Sequence, residues 1–144
     1  MFIAQGALVR AARVRLLVLD LDGTLTSGET WFRNGNEQRK AFHEHDRAGL
    51  QRLHDAGFHT ALITTGELPA ERRIAEELRI RYSFEETKDK RRAFLSLLRR
   101  CGLACAPADA HEDVRRMAHF VTSARGGYGA VREVCDFILR SRHG

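Results

Sequence analysis

Two aspartates, Asp20 and Asp22, sit at the end of the apolar run Arg15 to Asp20 (RLLVLD), where the segment DLDGTLT from Asp20 to Thr26 begins. Carboxylates in that setting suit phosphoryl transfer. That reaction needs an in-line nucleophile, a proton donor for the leaving oxygen, and cations to offset charge on the equatorial oxygens. A carboxylate nucleophile proceeds through an aspartyl-phosphate, which divides one hard step into two easier ones. Residues i and i+2 of an extended strand end project to the same side, so Asp20 as nucleophile and Asp22 as acid–base partner can serve one pocket. Gly23 lets the chain turn away so that backbone N–H groups face a phosphate. Without its neighbours, Asp-Leu-Asp-Gly would be only a polar turn after a strand. The buried run before it and Thr-Leu-Thr after it favour the chemical reading.

Two supporting groups follow in the order the mechanism wants. Thr65-Gly66 ends a second strand, where a hydroxyl and an N–H can hold a phosphoryl oxygen. Lys90, near the start of a helix after a third strand, supplies a cation. Taken alone, the first is a strand-ending turn and the second a solvated lysine beside Lys88. Their succession after the aspartate pair strengthens all three. Other constellations carry less. His43, His45 and Asp46 look like a metal cluster but read as solvated loop residues at the end of a hairpin. Cys101 and Cys105 with His111 lack a fourth zinc ligand at suitable spacing. The cysteines, Cys135 included, read as small buried hydrophobes. Three cysteines without a C-x-x-C pair suit a reducing cytoplasm. The Gly-rich ARGGYG is not a nucleotide-binding loop, because no suitable buried strand precedes it.

The elements that must position these groups alternate between strand and helix. Arg15 to Asp20 and His59 to Thr64 (HTALIT) are continuous apolar runs, the mark of strands buried on both faces of a parallel sheet. Tyr82 to Phe84 and Ala104 to Ala106 are shorter candidates, and Phe120-Val121 is a brief extended piece. Asn34-Gly35 between Glu29 to Phe32 and Gln38 to Phe42 predicts a hairpin. Asp46 is expected to cap a helix carrying Leu50 and Leu53, which Gly57 stops. Pro69 opens a helix carrying Ile74 and Leu78. Thr87 caps one carrying Phe94, Leu97, Leu98 and Cys101. Ala110 to Ala118 and Ala130 to Arg140 complete the helices, and the first fifteen residues read as a short lead-in helix. The pattern predicts an α/β layered fold with a mainly parallel sheet.

At 144 residues the chain is expected to form one domain. No apolar stretch is long enough to span a bilayer, and Arg10 and Arg13 break up a signal-peptide reading of the N-terminus, so no membrane is expected. The net charge of +5 comes from arginines scattered in pairs on predicted helix faces, without interleaved aromatics, so no nucleic acid is expected. A basic surface serves an anionic small substrate equally well. Trp31 and Phe32 in the hairpin have no evident partner, which points to a homo-oligomer.

The order Asp-x-Asp, Thr, Lys, with its flanking sequence, resembles the haloacid dehalogenase superfamily. Within it, the chain is most similar to the capless branch that contains 3-deoxy-D-manno-octulosonate 8-phosphate phosphatase. The hairpin segment NGNEQRKAFHEHDRAGL carries this through Gly35, Glu37, Lys40, Phe42, Asp46 and Gly49. The C-terminal AHFVTSARGGYGAVREVCDFIL carries it almost position by position. The resemblance implies a Rossmann-like three-layer sandwich with a small β-hairpin and no cap. It further implies Asp20 as nucleophile, Asp22 as acid–base, Thr65 and Gly66 on the phosphoryl group, and Lys90 as its clamp. Mg²⁺ would be held by Asp20 and the Asp22 carbonyl, and the assembly would be a tetramer acting on a small phosphate monoester. It also implies that ARGGYG is a flexible loop closing an active site, its own or a neighbour's. Three departures stand out. Arg47 follows Asp46 where glycine is usual, and Glu67 follows Gly66 where arginine is usual. Between Arg100 and the APADAH segment, Cys101-Gly102-Leu103 replaces a strand, an acidic Gly-Asp-Asp-x-x-Asp motif and a helix. A sheet one strand short is therefore expected, with Ala104 to Ala106 moved inward or left irregular. Asp109 and Asp113 are the nearest acids after the junction, but the family has them in addition to its metal acids. A relative that keeps the fold and has lost efficient catalysis is the second reading. A dehalogenase is disfavoured, because Asp22 would have no role in displacing a halide.

Overall fold

Where two apolar runs must be buried on both faces, parallel pairing with helical crossovers is the available solution. The chain takes it. In order, the elements are β1 (Phe2–Ile3), α1 (Ala7–Ala11), β2 (Leu16–Asp20), β3 (Trp31–Arg33), β4 (Asn36–Arg39), α2 (Glu44–Asp55) and β5 (His59–Thr64). There follow α3 (Pro69–Glu77), β6 (Tyr82–Glu85), α4 (Lys90–Arg100), β7 (Cys105–Ala106), α5 (Glu112–Met117), β8 (Phe120–Val121) and α6 (Ala130–Arg140). The structure, a computed structural model, describes residues 1–29, 31–33, 36–64, 69–85 and 90–143, with the backbone alone at 31–33, 36–39, 64, 84–85 and 90–94. The fold is the α/β sandwich expected, without a cap domain. β3 and β4 form the small antiparallel hairpin, with an irregularity between Trp31 and Phe32. The side chains of those two aromatics, and the cap expected at Thr87, lie outside the described residues.

The strands do not make one sheet. β2 pairs parallel to β5 and β5 parallel to β6, giving one sheet in the order β2-β5-β6. β7 pairs parallel to β8, and β8 antiparallel to β1, giving a second in the order β1-β8-β7. The first fifteen residues, expected as a lead-in helix, thus begin with a strand, Phe2 lying opposite Val121 and Ile3 opposite Phe120. Ala104 to Ala106 is neither drawn inward against β2 nor irregular, because Cys105 and Ala106 pair with β8 on their other side. The expected shortfall of one strand therefore leaves an opening rather than a closed, narrower sheet.

Helix placement follows from handedness. The crossovers from β2 to β5 and from β5 to β6 advance in one direction, so right-handed connections set α2 and α3 on one face. α4 returns across the molecule to β7 and so occupies the opposite face, packed on α5. α6 packs against α2, and this contact holds the core together. Leu50 and Leu53 of α2 and Val131 and Ile138 of α6 are buried with Leu62 and Phe120, whose ring stacks on Phe137 at 4.5 Å. Gly49 permits the approach of the two helices, since a Cβ there would lie 3.1 Å from Arg132 Cα.

Asp46 corrects two expectations. It neither caps its own helix nor lies in a solvated loop. His43 is the N-cap of α2, its Nδ1 accepting from the His45 N–H at 3.1 Å. Asp46 sits one turn in, fully buried, and its Oδ1 accepts from the Arg132 N–H at 2.8 Å. It caps the amino end of α6 instead, where unpaired N–H groups and the helix dipole favour a carboxylate. Burial nevertheless raises its pKa above the ordinary 3.8, outweighing the hydrogen bonds from the Arg132 and Gly129 amides. Folding therefore favours the protonated acid. Its contribution is largest at low pH and declines as pH climbs from the unfolded value through the raised folded one. Asp46→Ala is expected to cost about 1–3 kcal/mol in urea unfolding, as loss of a cap and of a buried acceptor's partner. Asp46→Asn should keep the Arg132 bond and flatten that acid-side dependence.

Candidate active site

The site grows from the carboxyl end of β2, where parallel sheets place their ligands. Asp20 ends the strand in register with Ile63 of β5, and Asp22 follows in an extended conformation (φ −75°, ψ 125°). Gly23 then turns the chain with φ +81°, a backbone shape that L side chains resist. The turn is tied down by buried Thr26. Its N–H donates to the Leu21 carbonyl at 3.0 Å, and its hydroxyl lies 3.3 Å from Asp22 Oδ1. Asp20 and Asp22 open onto the same cavity, of about 720 Å³. The two aspartates thus line one pocket.

The partner of Asp22 is a lysine that carries the family resemblance but to which the sequence assigns no role. Lys40, just past the hairpin, reaches back eighteen positions to place Nζ 3.0 and 2.9 Å from the two Asp22 oxygens. Its side chain is almost wholly buried, while that of Asp22 is partly open to the cavity. Glu71, buried on α3, lies 3.8 Å from the same ammonium. A buried lysine is tolerable only with such partners. The arrangement fixes the Asp22 carboxylate and lends it positive charge. The one signal in the sequence is the lysine in QRKAFHEHD, ending a hairpin directly after the aspartate loop.

Thr65 and Gly66 lie outside the described residues. Lys90 is the first residue of α4, with its side chain outside the description. Asp109 lines the cavity with the two aspartates, but its Oδ1 accepts from the Gly126 N–H at 2.9 Å. Asp113 is exposed on α5, away from the cavity lining. Cys135 is the buried hydrophobe expected, its thiol pushed up to about 12 by burial. Cys101 and Cys105 are only partly covered and line the cavity.

The ARGGYG loop folds onto its own chain's aspartate loop. The Gly127 N–H donates to the Thr24 carbonyl at 2.9 Å. The Glu133 carboxylate anchors the approach, accepting from the Ser123 and Ala124 amides at 2.9 and 2.7 Å. A Cβ on Gly126 would overlap the Gly23 carbonyl, and one on Gly127 would overlap the backbone of Thr26 and Ser27. Backbone cannot move aside as a flexible side chain can. Gly126→Ala is expected to lose about 2 kcal/mol or more, read as a melting-temperature drop of roughly 5 °C. An unchanged melting temperature would mean that the two loops do not touch.

A divalent ion finds a partial donor set. Asp20 and Asp22 both line one cavity, yet among the described residues no group of three or more His, Cys, Asp and Glu side chains could hold a metal. Magnesium takes about six oxygens and readily keeps several as water, so the two donors fit a weakly held ion.

No family model matches the chain. Individual relatives do. The 3-deoxy-D-manno-octulosonate 8-phosphate phosphatase of Yersinia pestis is 33% identical over 160 positions, covering 95% of this chain and 86% of that protein. A structure assigned to the HAD-superfamily hydrolases, subfamily III A, from Legionella pneumophila superposes with a TM-score of 0.87 at 32% identity, over 95% of this chain and 88% of the other. The 3-deoxy-D-manno-octulosonate 8-phosphate phosphatase of Moraxella catarrhalis, solved with magnesium, phosphate and KDO, gives 0.84 at 28% identity, over 95% and 92%. The fold is thus that of a haloacid-dehalogenase-type hydrolase. The Yersinia alignment is longer than this chain of 144 residues, so at least 16 of its positions are filled by the relative alone. The chain belongs to the 3-deoxy-D-manno-octulosonate 8-phosphate phosphatase family, and with it to the phosphoric monoester hydrolases.

Proposed function

We propose that the chain is a Mg²⁺-dependent phosphatase of a small sugar-acid phosphate of the 3-deoxy-D-manno-octulosonate 8-phosphate kind, with residues 1–144 acting as one domain in a cytoplasmic homo-oligomer. The observation that carries this is the pair Asp20 and Asp22 at the end of β2, opening on one cavity with Asp22 held by buried Lys40. Asp20 attacks the phosphoryl group. Asp22 delivers a proton to the leaving alcohol and afterwards takes one from the water that releases phosphate, reversing roles as acid–base catalysis requires. Thr65, Gly66 and Lys90 bind the phosphoryl oxygens in this reading. Bound magnesium would supply charge neutralisation between Asp20 and the phosphate. A panel of phosphate monoesters assayed with and without Mg²⁺ tests the proposal. Hydrolysis of sugar-acid phosphates that chelator abolishes supports it, and inactivity across the panel sinks it.

A second reading, an impaired relative, is favoured by the incomplete donor set among the described residues. One insertion separates the two. Placing a Gly-Asp-Asp-x-x-Asp strand–helix segment between Arg100 and Gly102 is expected to lower the Mg²⁺ concentration for half-maximal activity about tenfold or more, the weight of an added anchoring carboxylate. Tight Mg²⁺ binding by the unmodified chain would remove the case for impairment.

A further inference from the structure

The cavity is larger than an aspartate pocket requires, and its shape follows from the divided sheet. Its walls run from Arg15 along the whole of β2 to Asp20, and include Cys105 and Ala106 of β7. β2 and β7 are edge strands of separate sheets, and no ladder joins them among the described residues. Yet they run parallel. At their amino ends, Arg10, shortly before β2, donates to the Gly102 carbonyl before β7 at 2.9 Å. At their carboxyl ends, Gly126 packs on Gly23 while its N–H donates to Asp109 after β7.

Backbone groups on both edges point into the opening. The His59 N–H donates to the Arg15 carbonyl, so Arg15, Leu17 and Leu19 turn their main-chain groups toward β5. Strand alternation then turns those of Leu16 and Val18 toward the cavity. Likewise the Ala104 and Ala106 carbonyls accept from Phe120 and Thr122, which leaves Cys105 facing the cavity. The cavity is apolar above and below, between Leu97 and Leu98 of α4 with Cys101 just after it, and Val131, Val134 and Ile138 of α6. Leu16, in a run built to be buried on both faces, is 45% exposed. Parallel edges that have no partner strand among the described residues, set between two apolar helix faces, are the receptor half of strand addition.

We propose that the cleft between β2 and β7 is a strand-acceptor site that takes an extended apolar segment of another polypeptide, parallel to both strands. The chemistry of the occupant follows from the walls. It needs five or six residues, apolar on both faces and free of proline, because each N–H must reach one edge or the other. Arg10, Arg13 and Arg15 gather at the amino end of the cleft and Asp20, Asp22 and Asp109 at the carboxyl end. An acidic residue ahead of the apolar run, and none after it, complements that gradient. The proposal is independent of whether the chain hydrolyses phosphate esters.

The test uses the full chain and an acetylated, amidated peptide of glutamate, Val-Ile-Val-Ala-Val and glycine. Saturable one-to-one binding is expected by calorimetry, with amide exchange slowed at Leu16, Val18 and Cys105. The same peptide N-methylated at alternate residues keeps its side chains but loses main-chain donors, and should bind at least about tenfold more weakly. Absence of saturable binding, equal binding of the N-methylated peptide, or protection confined to other strands would each overturn the proposal. So would slow exchange at Leu16, Val18 and Cys105 in the peptide-free oligomer that is lost on dilution to monomer, because a second copy would then own the cleft.

Discussion

Asp20→Asn is expected to abolish turnover while leaving the fold and its melting temperature nearly unchanged. The asparagine amide is a poor nucleophile and cannot form the acyl-phosphate, so the two-step route is closed rather than slowed. Residual hydrolysis should fall to the background of buffer. Substrate affinity should change little or improve, because a negative charge beside the phosphate is removed. Full activity in this variant, with identity checked by mass, would end the aspartyl-phosphate account. The register of β2 makes the variant a clean one. Asp20 ends the strand after Leu19, and the carboxyl-to-carboxamide exchange preserves shape.

Asp22→Asn is the second large effect, expected to lower kcat by about 10²–10⁴, the weight of a general acid. Substrates with good leaving groups should escape most of that loss, since their oxygens depart without a proton. A p-nitrophenyl ester compared with a sugar phosphate reads this directly, and an equal loss on both would move Asp22 out of the acid–base role. The variant also strips charge from the partner of Lys40, whose ammonium lies within 3.0 Å of both Asp22 oxygens. A modest loss of stability should accompany it, because Lys40 is buried and keeps Glu71 as a further carboxylate neighbour.

The carboxylate pair was legible because it is local. An apolar run, an i and i+2 spacing and a glycine needing positive φ all lie within nine residues, and each has a physical reading of its own. The same holds for β5, whose limits His59 and Thr64 match the apolar run, and for α6, whose stripe Val131, Val134 and Ile138 is buried as its spacing requires. Lys40 was not legible as a site residue because its meaning is a contact across the hairpin. Asp46 misled for a related reason. An aspartate near a helix start is a cap by local rule, yet α6 packs so closely on α2 that Asp46 caps the neighbour instead. The divided sheet was half legible. A missing strand follows from the short Cys101-Gly102-Leu103 junction. That the gap stays open depends on β7 being tied to β8, and on β1 closing the far edge of that sheet, which no short-range pattern in the first fifteen residues announces.

The central claim is that phosphate passes through Asp20. Rapid acid quench of the chain turning over a sugar-acid phosphate with Mg²⁺, followed by peptide mapping, tests it most directly. The account predicts a phosphoryl group on the peptide containing Asp20, absent from Asp20→Asn. Turnover with that peptide unmodified at every quench time, or a phosphoryl group on another residue, would contradict it.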